Sequence, residues 1–381
     1  MQTINVVQLD DSAATPTRGE AYSEAKRQLE ICNACRYCES YCSVFPALHQ
    51  QRAVDDEHLT QLANLCHNCR GCYYACQYTA PHEFNLNVPQ ALAEVRQQSW
   101  EEHSYPKAVA KSFHQHGSAI MLALVAGFAL LLWILSGLEP QVQDVQSLDI
   151  EEQEAAQSFY ALMPHNAMVA LFLPAFVLPL IAIGVGLRRY WTSVQGQSIK
   201  LTHIRSAFNA AANMRNLDGG HGKGCNFEDE DRYSNARRYL HQATMYGFLL
   251  CFMATSVATL MHYLLDMPAP YGFFSLPKLL GVSGGILLCI GTAGLAWLKT
   301  QADPKLGSQR VWGGEMAFVV LLFLVSVSGL LLYWLGGTSI LPELLAFHLG
   351  SVLTLFLLMP YSKMVHGFFR LAALIRDAQS T

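Results

Sequence analysis

Residues 32–42 read CNACRYCESYC and residues 66–76 read CHNCRGCYYAC. In both stretches the four cysteines have the spacing C-x2-C-x2-C-x3-C, and Pro81 follows shortly after the second stretch. This spacing is typical of bacterial proteins that hold two iron–sulfur clusters through cysteine thiolates. The two stretches therefore predict an iron–sulfur domain near the start of the chain.

The order of the cysteines predicts which of them share a cluster. In two-cluster ferredoxins the fourth cysteine of each run binds the other cluster. We therefore expect two [4Fe–4S] clusters, one held by Cys32, Cys35, Cys38 and Cys76 and the other by Cys66, Cys69, Cys72 and Cys42. The spacing leaves open that one cluster is [3Fe–4S]. A structural zinc site is the alternative, but zinc takes four ligands, usually in paired C-x2-C units, and eight cysteines in this order fit that pattern poorly.

The residues around the cysteines predict a helical domain over residues 1–110. Leu48, Val54, Leu59, Leu62 and Leu65 lie at roughly helical intervals between the two runs. The first 30 residues contain five acidic side chains and no apolar stretch, so they do not resemble a signal peptide. We therefore expect this domain in the cytoplasm, where clustered thiols bind metal more often than they form disulfides.

The rest of the chain, residues 111–381, predicts a membrane domain. The protein is 52% hydrophobic and only 14% charged, whereas soluble proteins carry about 25% charged residues. A membrane helix needs about 20 apolar residues, and six such runs lie at about 117–138, 165–187, 241–265, 276–298, 312–335 and 343–366. The predicted fold class is therefore all-α, a ferredoxin-like helical domain followed by a six-helix transmembrane bundle. With a net charge of −4, nothing indicates nucleic acid as a partner.

Basic residues predict the orientation in the membrane. Loop 188–240 carries nine Lys and Arg residues, while loops 139–164, 266–275 and 336–342 carry none and the first of these is acidic. Lys and Arg accumulate in cytoplasmic loops, so both termini and the cluster domain should be cytoplasmic. Lys278, at an outer helix end, is the exception and can extend its amine to the interface. We expect a multi-pass protein of the bacterial inner membrane.

Four histidines within the predicted membrane helices are candidate haem ligands. Ionisable residues inside a membrane indicate function by default, and neutral imidazole is an axial ligand of haem iron. His241 and His366 fall at the cytoplasmic level, and His262 and His348 at the outer level. The step from His348 to His366 is five whole helical turns, so both should point one way. One or two b-type haems are therefore expected, in a cytochrome b-like bundle.

Several other histidines have weaker support in the sequence as haem ligands. His165, at the outer end of the second predicted membrane helix, is a rival to the two outer candidates. His103, His114 and His116 precede the first membrane helix and are predicted to lie on the surface.

Residues 218–225, DGGHGKGC, lack the final Lys-Ser/Thr pair of a phosphate-binding loop and predict an irregular loop near the junction of the two domains. Cys225 is a weak candidate for a further ligand, because the other eight cysteines already complete two clusters.

The combination resembles the tricarballylate/citrate utilisation protein B family. The resemblance rests on both cysteine runs, the loop Gly219–Cys225, and Arg237-Arg238 just before His241, and it covers nearly the whole chain. It implies an electron-transfer protein that reoxidises the reduced FAD of a partner dehydrogenase, usually tricarballylate dehydrogenase. Electrons would pass through the clusters and haem to a membrane quinone.

The sequence also bears on which role the chain takes. No G-x-G-x-x-G dinucleotide fingerprint opens a helix after a strand, so we expect an electron-transfer subunit and not a stand-alone dehydrogenase. A membrane transporter with a redox-sensing or metal-sensing domain is the alternative, although no repeat with broken helices is evident. A membrane-tethered iron–sulfur sensor is the third reading.

Overall fold

The computed structural model describes residues 18–138, 163–219, 222–227, 232–267, 269, 271–335 and 338–380. Within these ranges all regular secondary structure is helical, apart from one isolated β-bridge between Cys225 and Ser234. The predicted all-α fold is therefore confirmed. The acidic residues of loop 139–164 and His221 of the glycine-rich loop lie outside the described residues.

From residue 18 onward, where the structure describes it, the amino-terminal domain has five helices: α1 (Arg18–Cys35), α2 (Val44–His49), α3 (Asp56–Leu65), α4 (Gly71–Tyr74) and α5 (Val88–His103). The helices predicted between the two cysteine runs are α2 and α3. The carboxylate of Asp55 caps α3 by accepting a hydrogen bond from the backbone N–H of His58 at 2.7 Å. Leu48, Leu59 and Leu62 are completely buried in the domain core.

Six helices are long and apolar enough to cross a membrane. With two shorter helices, they are the α-helices of the described residues after position 106: α6 (Lys107–Leu138), α7 (His165–Ser193), α8 (Leu201–Ala212), α9 (Ala236–Leu264), α10 (Leu276–Gln301), α11 (Trp312–Trp334), α12 (Leu341–Leu358) and α13 (Val365–Asp377). The short ones are α8 and α13. Helix α6 begins ten residues before the predicted start at 117, because a polar first segment joins the apolar one at a kink at His116.

The predicted continuous helix 343–366 is wrong. Helix α12 ends at Leu358, and α13 starts only at Val365. Proline has no N–H to donate, and it disfavours helical geometry in the residue before it, so Pro360 ends the helix. His348 and His366 therefore lie on different helices, and the argument from five whole turns does not apply to them.

Glycines bring α9 and α10 into close contact. A Cβ placed on Gly247 would lie 2.6 Å from the backbone nitrogen of Leu288, and one on Gly284 would lie 2.8 Å from that of Cys251. Small residues of this kind allow membrane helices to approach at backbone distance. Helix α9 thus packs tightly on α10, whereas its backbone does not run closely along α7 or α12.

Helix α13 joins the two domains. Phe369 and Ala373 are buried in the same core as α3 and α7. The side-chain amide of Gln61 on α3 donates to the carbonyl of Ala373 at 2.8 Å, and the hydroxyl of Tyr190 on α7 donates to the carbonyl oxygen of that amide at 2.7 Å. The amino-terminal domain is therefore fixed against one end of the helical bundle, called here the proximal end.

The prediction that His103 and His114 lie on the surface is wrong, whereas His116 is exposed. His103 is buried at the domain junction, with Nδ1 at 2.6 Å from the Ser99 carbonyl and Nε2 at 3.0 Å from the Ser193 hydroxyl. His114 is buried against the carboxylate of Glu101, at 3.0 Å. Polar sequence surroundings suggested exposure, but packing of the two domains covers both rings.

Candidate metal centres

One group of cysteines encloses a cavity in the amino-terminal domain. Cys32 and Cys35 end α1, Cys38 follows in the next turn, and Cys76 closes the group from the second run. Together they line a cavity of about 230 Å³ whose remaining wall is mostly apolar, made by Ile31, Tyr37, Phe45, Ala75, Gln77, Tyr78 and Leu86. These four thiols are the set expected for the first cluster.

The other four cysteines form a deeper group. Burial raises the pKa of the Cys42 thiol well above its usual value, and the neighbouring Cys69 and Cys66 raise it further. Burial raises the pKa of Cys72 well above its usual value in the same way, with Cys69, Cys66 and Cys42 adding to the effect and Cys38 of the first group contributing last. Mutual influence of this kind requires the four sulfurs to lie close together. Cys42 thus joins the second run, as Cys76 joins the first.

The same chemistry applies in the first group. Burial raises the pKa of Cys32 to about 12, with smaller contributions from Cys76, Cys38 and Cys35. Such thiols stay protonated at neutral pH unless cationic iron draws the proton off, because a bound metal ion deprotonates a coordinating thiol. Among the described residues, no three of His, Cys, Asp and Glu are arranged to hold a single metal ion. Four thiolates are the donor set that an iron–sulfur cluster takes.

The repeated sequence produces a repeated backbone turn. Arg36 and Arg70, each directly after the second cysteine of its run, have φ of +56° and +67°. A left-handed residue reverses the chain direction locally, so the third cysteine of each run turns back toward the first two. An N–H two residues beyond a cysteine points at the sulfur in both groups, from Asn68 to Cys66 and from Tyr78 to Cys76, each at 3.4 Å.

Three arginines bind the backbone of the second group. Arg96 and Arg370 each donate to the carbonyl of Cys66 at 2.8 Å. Arg237, at the start of α9, donates to the carbonyls of Asn68 at 2.7 Å and His67 at 3.1 Å. The loop 66–68 thereby receives positive charge from α5, α9 and α13 together.

The glycine-rich loop covers the same group. The N–H of Asn226 donates to the carbonyl of Cys69 at 3.0 Å, and Cys225 is 1% exposed beside Cys69. The guanidinium groups of Arg237 and Arg70 lie 4.0 and 4.7 Å from the ring centre of Phe227. The predicted position of this loop near the domain junction agrees with its contacts. The structure gives Cys225 a packing role next to a ligand candidate.

At the proximal end of the bundle, His241 and His366 face each other. Their ring centres are 5.8 Å apart, with the rings nearly perpendicular. His366 donates from Nδ1 to the carbonyl of Lys363, and the buried Nδ1 of His241 has no hydrogen-bond partner among the described residues. Burial, followed by the charge of Arg370, holds the pKa of His366 well below its usual value. The His366 ring is thus neutral, as a metal ligand must be.

These two histidines fit a haem iron. A ligating histidine usually donates its other ring N–H to a carbonyl, which fixes the tautomer, and His366 does so. The lone unpartnered nitrogen of His241 is costly to bury unless it bonds to something. The pair also lies next to the second cysteine group, because His67 adjoins both Arg370 and His241. The structure brings the rings of His241 and His366 together despite the break between α12 and α13.

At the distal end the predicted pair is not formed. The ring of His262 stacks on that of His165, with centres 4.4 Å apart and planes 26° apart. The side chain of His348, on α12, packs against α11, with its Nδ1 2.9 Å from the hydroxyl of Ser328 and its ring on Gly329. The sequence predicts that His262 and His348 share the outer level of the membrane, but in the structure the side chain of His348 points from α12 toward α11.

Sequence reasoning also missed the arginines. Arg237 was noted only as part of a motif, and Arg96 and Arg370 were not singled out. A signal was available, since Arg370 lies four residues after His366 and so one turn along the same helical face. That position could not be interpreted without knowing that α13 contacts the cysteine domain.

Comparison with known proteins agrees with this architecture. Residues 25–102 match the citrate utilization protein B Fer4-like domain, and residues 113–381 match the citrate utilization protein B family. Citrate utilization protein B of Escherichia coli is 41% identical over 359 residues, which cover 94% of this chain and 92% of that protein. No solved structure matches. The chain therefore belongs to the citrate utilization protein B family.

Proposed function

We propose that this chain is a membrane-bound electron-transfer protein of citrate or tricarballylate utilisation. It reoxidises the reduced FAD of a partner dehydrogenase, of the tricarballylate dehydrogenase kind, and passes electrons through two [4Fe–4S] clusters and haem b to the membrane quinone pool. The name of the E. coli relative supports the metabolic setting. The Fer4-like domain and the six apolar helices support a relay that starts in an iron–sulfur domain and ends in a membrane.

One observation carries the proposal: the candidate sites follow one another in contact. The first cysteine group is the more exposed one, with Cys35 at the surface. The second group is less exposed, with Cys69 buried, and its loop 66–68 is bound by Arg370 and Arg237. Those two arginines also adjoin His366 and His241. Electrons that enter at Cys35 would thus pass from one candidate site to its neighbour until they reach the histidine pair.

The chain's own residues prepare each site for its group. A bound cluster or haem supplies one-electron chemistry through its iron. The cysteines provide thiolates, and Cys69 of the second group is buried. The arginines around loop 66–68 favour an added electron there, because positive charge at low dielectric stabilises negative charge. The Lys363 carbonyl holds the His366 ring in the tautomer that leaves Nε2 for iron.

Orientation follows from the loops. With basic residues concentrated in loop 188–240, the proximal end faces the cytoplasm. A soluble flavoprotein can then reach Cys35, and a quinone can be reduced from within the bilayer. The two electrons of reduced FAD pass one at a time and meet two protons at the quinone.

The test uses anaerobically purified, detergent-solubilised protein with its partner dehydrogenase. Tricarballylate plus dehydrogenase should reduce the clusters and haem, and a quinone analogue should reoxidise them. Cys35→Ser should abolish reduction by the dehydrogenase. His366→Gln should leave cluster reduction intact and abolish the haem band and quinone turnover. His348→Gln, on a histidine outside the proximal pair, is the matched control.

Three other outcomes would contradict the proposal. Full quinone turnover in both Cys35→Ser and His366→Gln would show that electrons take another route. Uptake of a tricarboxylate by proteoliposomes, equal in oxidised and reduced protein, would support the transporter reading. Cluster content that changes with oxygen, without electron throughput, would support a sensor.

A further inference from the structure

Helix α8 carries an exposed apolar stripe beside the membrane helices. Leu201 is 79% exposed, Phe208 is 56% exposed, and Ile199 just before the helix is exposed as well. Residues four and seven positions apart share one face of a helix, so Leu201, Arg205 and Phe208 form a single stripe. We propose that α8 lies in the membrane surface at the proximal end, with this stripe in the lipid and Arg205 bound to the phosphate of an anionic phospholipid.

The other faces of α8 have different surroundings. Ala207 is buried in the core that also contains Phe369 and Ala373 of α13. A polar flank lines an open cavity of about 150 Å³, formed by Ser206, Asn209, Ala210, Asn213, Arg215, Asp218 and Arg238. Helix α8 thus has one face on protein, one polar flank, and one apolar flank that the described residues leave exposed. Amphipathic helices of this kind lie in the plane of a membrane surface.

Both ends of α8 are held close to membrane-crossing helices. The helix begins eight residues after α7 ends at Ser193. At its other end the Ala212 carbonyl accepts a hydrogen bond from the Tyr246 hydroxyl at 3.1 Å, and the Asn213 carbonyl accepts one from Arg238 at 2.8 Å. Arg238 is the last Lys, Arg, Asp or Glu before the apolar part of α9, and Tyr246 lies about two turns further along. The carboxyl end of α8 is therefore at the level where α9 enters the hydrocarbon.

Exposed aromatic rings mark the same end of the bundle. Tyr239 at the start of α9, Trp297 near the end of α10 and Trp312 at the start of α11 are all exposed. Trp and Tyr accumulate where membrane helices cross the lipid–water interface. Phe208 therefore exposes its ring at the end of the bundle where these aromatic residues gather, which is the depth that a surface helix needs.

The charge around α8 favours anionic lipid. Residues 188–217 contain five Lys and Arg residues and no Asp or Glu. Those of them that are exposed beside the stripe are Arg188, Arg189, Lys200 and Arg205. Basic residues next to a membrane are attracted to anionic headgroups. Arg205 lies within the apolar stripe, so its aliphatic part can rest in the apolar layer while its guanidinium reaches phosphate oxygens.

The test measures hydrogen–deuterium exchange of the backbone amides of residues 199–213 in the full-length protein. The protein is placed in nanodiscs of phosphatidylcholine, or of phosphatidylcholine mixed with phosphatidylglycerol. Exchange should be slower in the mixed discs, because local opening of α8 must first lift the stripe from the lipid. In the mixed discs Arg205→Gln should exchange about five-fold faster than wild type, which corresponds to about 1 kcal/mol for one basic residue at an anionic surface.

Two variants complete the design. Phe208→Ser should exchange faster than wild type in both kinds of disc, because it removes the apolar contact that does not depend on lipid charge. Arg52→Gln, which removes an exposed arginine from the amino-terminal domain, is the matched control and should behave as wild type. In phosphatidylcholine alone, Arg205→Gln should also match wild type.

Other results would overturn the inference. These are equal exchange of residues 199–213 in the two kinds of disc, wild-type exchange in Arg205→Gln, or protection that appears only when the partner dehydrogenase is added, which would make the stripe a protein-docking surface. A melting temperature in detergent equal to that of wild type excludes misfolding as the cause of faster exchange. Where Phe208→Ser melts lower, Arg205→Gln decides. The exchange measurement requires neither cluster nor haem, so its outcome is separate from that of the proposed electron path.

Discussion

Arg370 offers the sharpest quantitative test of the relay. Its guanidinium is buried, donates to the Cys66 carbonyl at 2.8 Å, and adjoins His366 one turn away. Burial, with Arg96 nearby, lowers the pKa of Arg370 to about 9, which still leaves it charged at pH 7. It is therefore a fixed positive charge between the second cysteine group and the proximal histidines. Arg370→Gln removes that charge and keeps much of the volume and one donor.

The size of the effect follows from the distance. For a positive charge about 7 Å from an added electron, at an effective dielectric constant of about 20, the interaction is about 2.4 kcal/mol. For a one-electron couple this corresponds to about 100 mV. Because the charge favours the reduced state, Arg370→Gln should lower the midpoint potential of the second cluster by this order. A haem held by His366, as proposed, should shift in the same direction. The shift should depend little on salt, since buried charges are weakly screened.

The assay is a redox titration of purified protein, followed by electron paramagnetic resonance for the clusters and by absorbance for haem. Arg376→Gln is the matched control, since Arg376 lies on the same helix and donates to the carbonyl of Val194 at 3.1 Å, away from loop 66–68. Its potentials should match wild type. A change below about 20 mV in Arg370→Gln with full cluster content, or an upward shift, would refute the electrostatic role assigned to Arg370.

Three further predictions concern packing, ligation and pH. Gly247→Ala should destabilise the α9–α10 contact by about 1–3 kcal/mol, because its Cβ would lie 2.6 Å from the backbone nitrogen of Leu288. The measurement is the melting temperature in detergent, which should fall. Gly184→Ala is the control, because a Cβ there meets nothing within 4 Å. Cys225→Ser should retain both clusters by iron and sulfide analysis, and loss of one would make Cys225 a ligand. Burial raises the pKa of Asp377 to about 6, so its stabilising protonation is present below about pH 4 and lost as pH rises through about 6. Asp377→Asn should therefore raise the melting temperature at pH 7 but not at pH 4, and an equal gain at both would contradict this.

Local signals in the sequence were sufficient for the fold and for the cysteine groups. The spacing of the cysteines constrains each loop directly, and apolar runs define membrane helices without reference to their neighbours. The pairing of the histidines could not be predicted from local signals alone. Whether His348 faces His262 depends on how α12 is rotated, and Pro360 ends α12 at Leu358, eight residues before His366. Pairing across helices is a property of packing, which no single segment encodes.

The short helix α13 explains why the two domains are joined in this way. It provides the Arg370 side chain to the cysteine loop, the His366 ring to the bundle, and the Ala373 carbonyl to Gln61 of the amino-terminal domain. One rigid element of 13 residues therefore sets the distance from the second cysteine group to the proximal histidines. Had α12 continued unbroken through Pro360, His366 would have remained on the axis of α12, and this contact with the cysteine domain would not form. The break in the sixth apolar run is thus one of the features that connect the iron–sulfur domain to the membrane helices, beside the contacts of Tyr190 and Arg237.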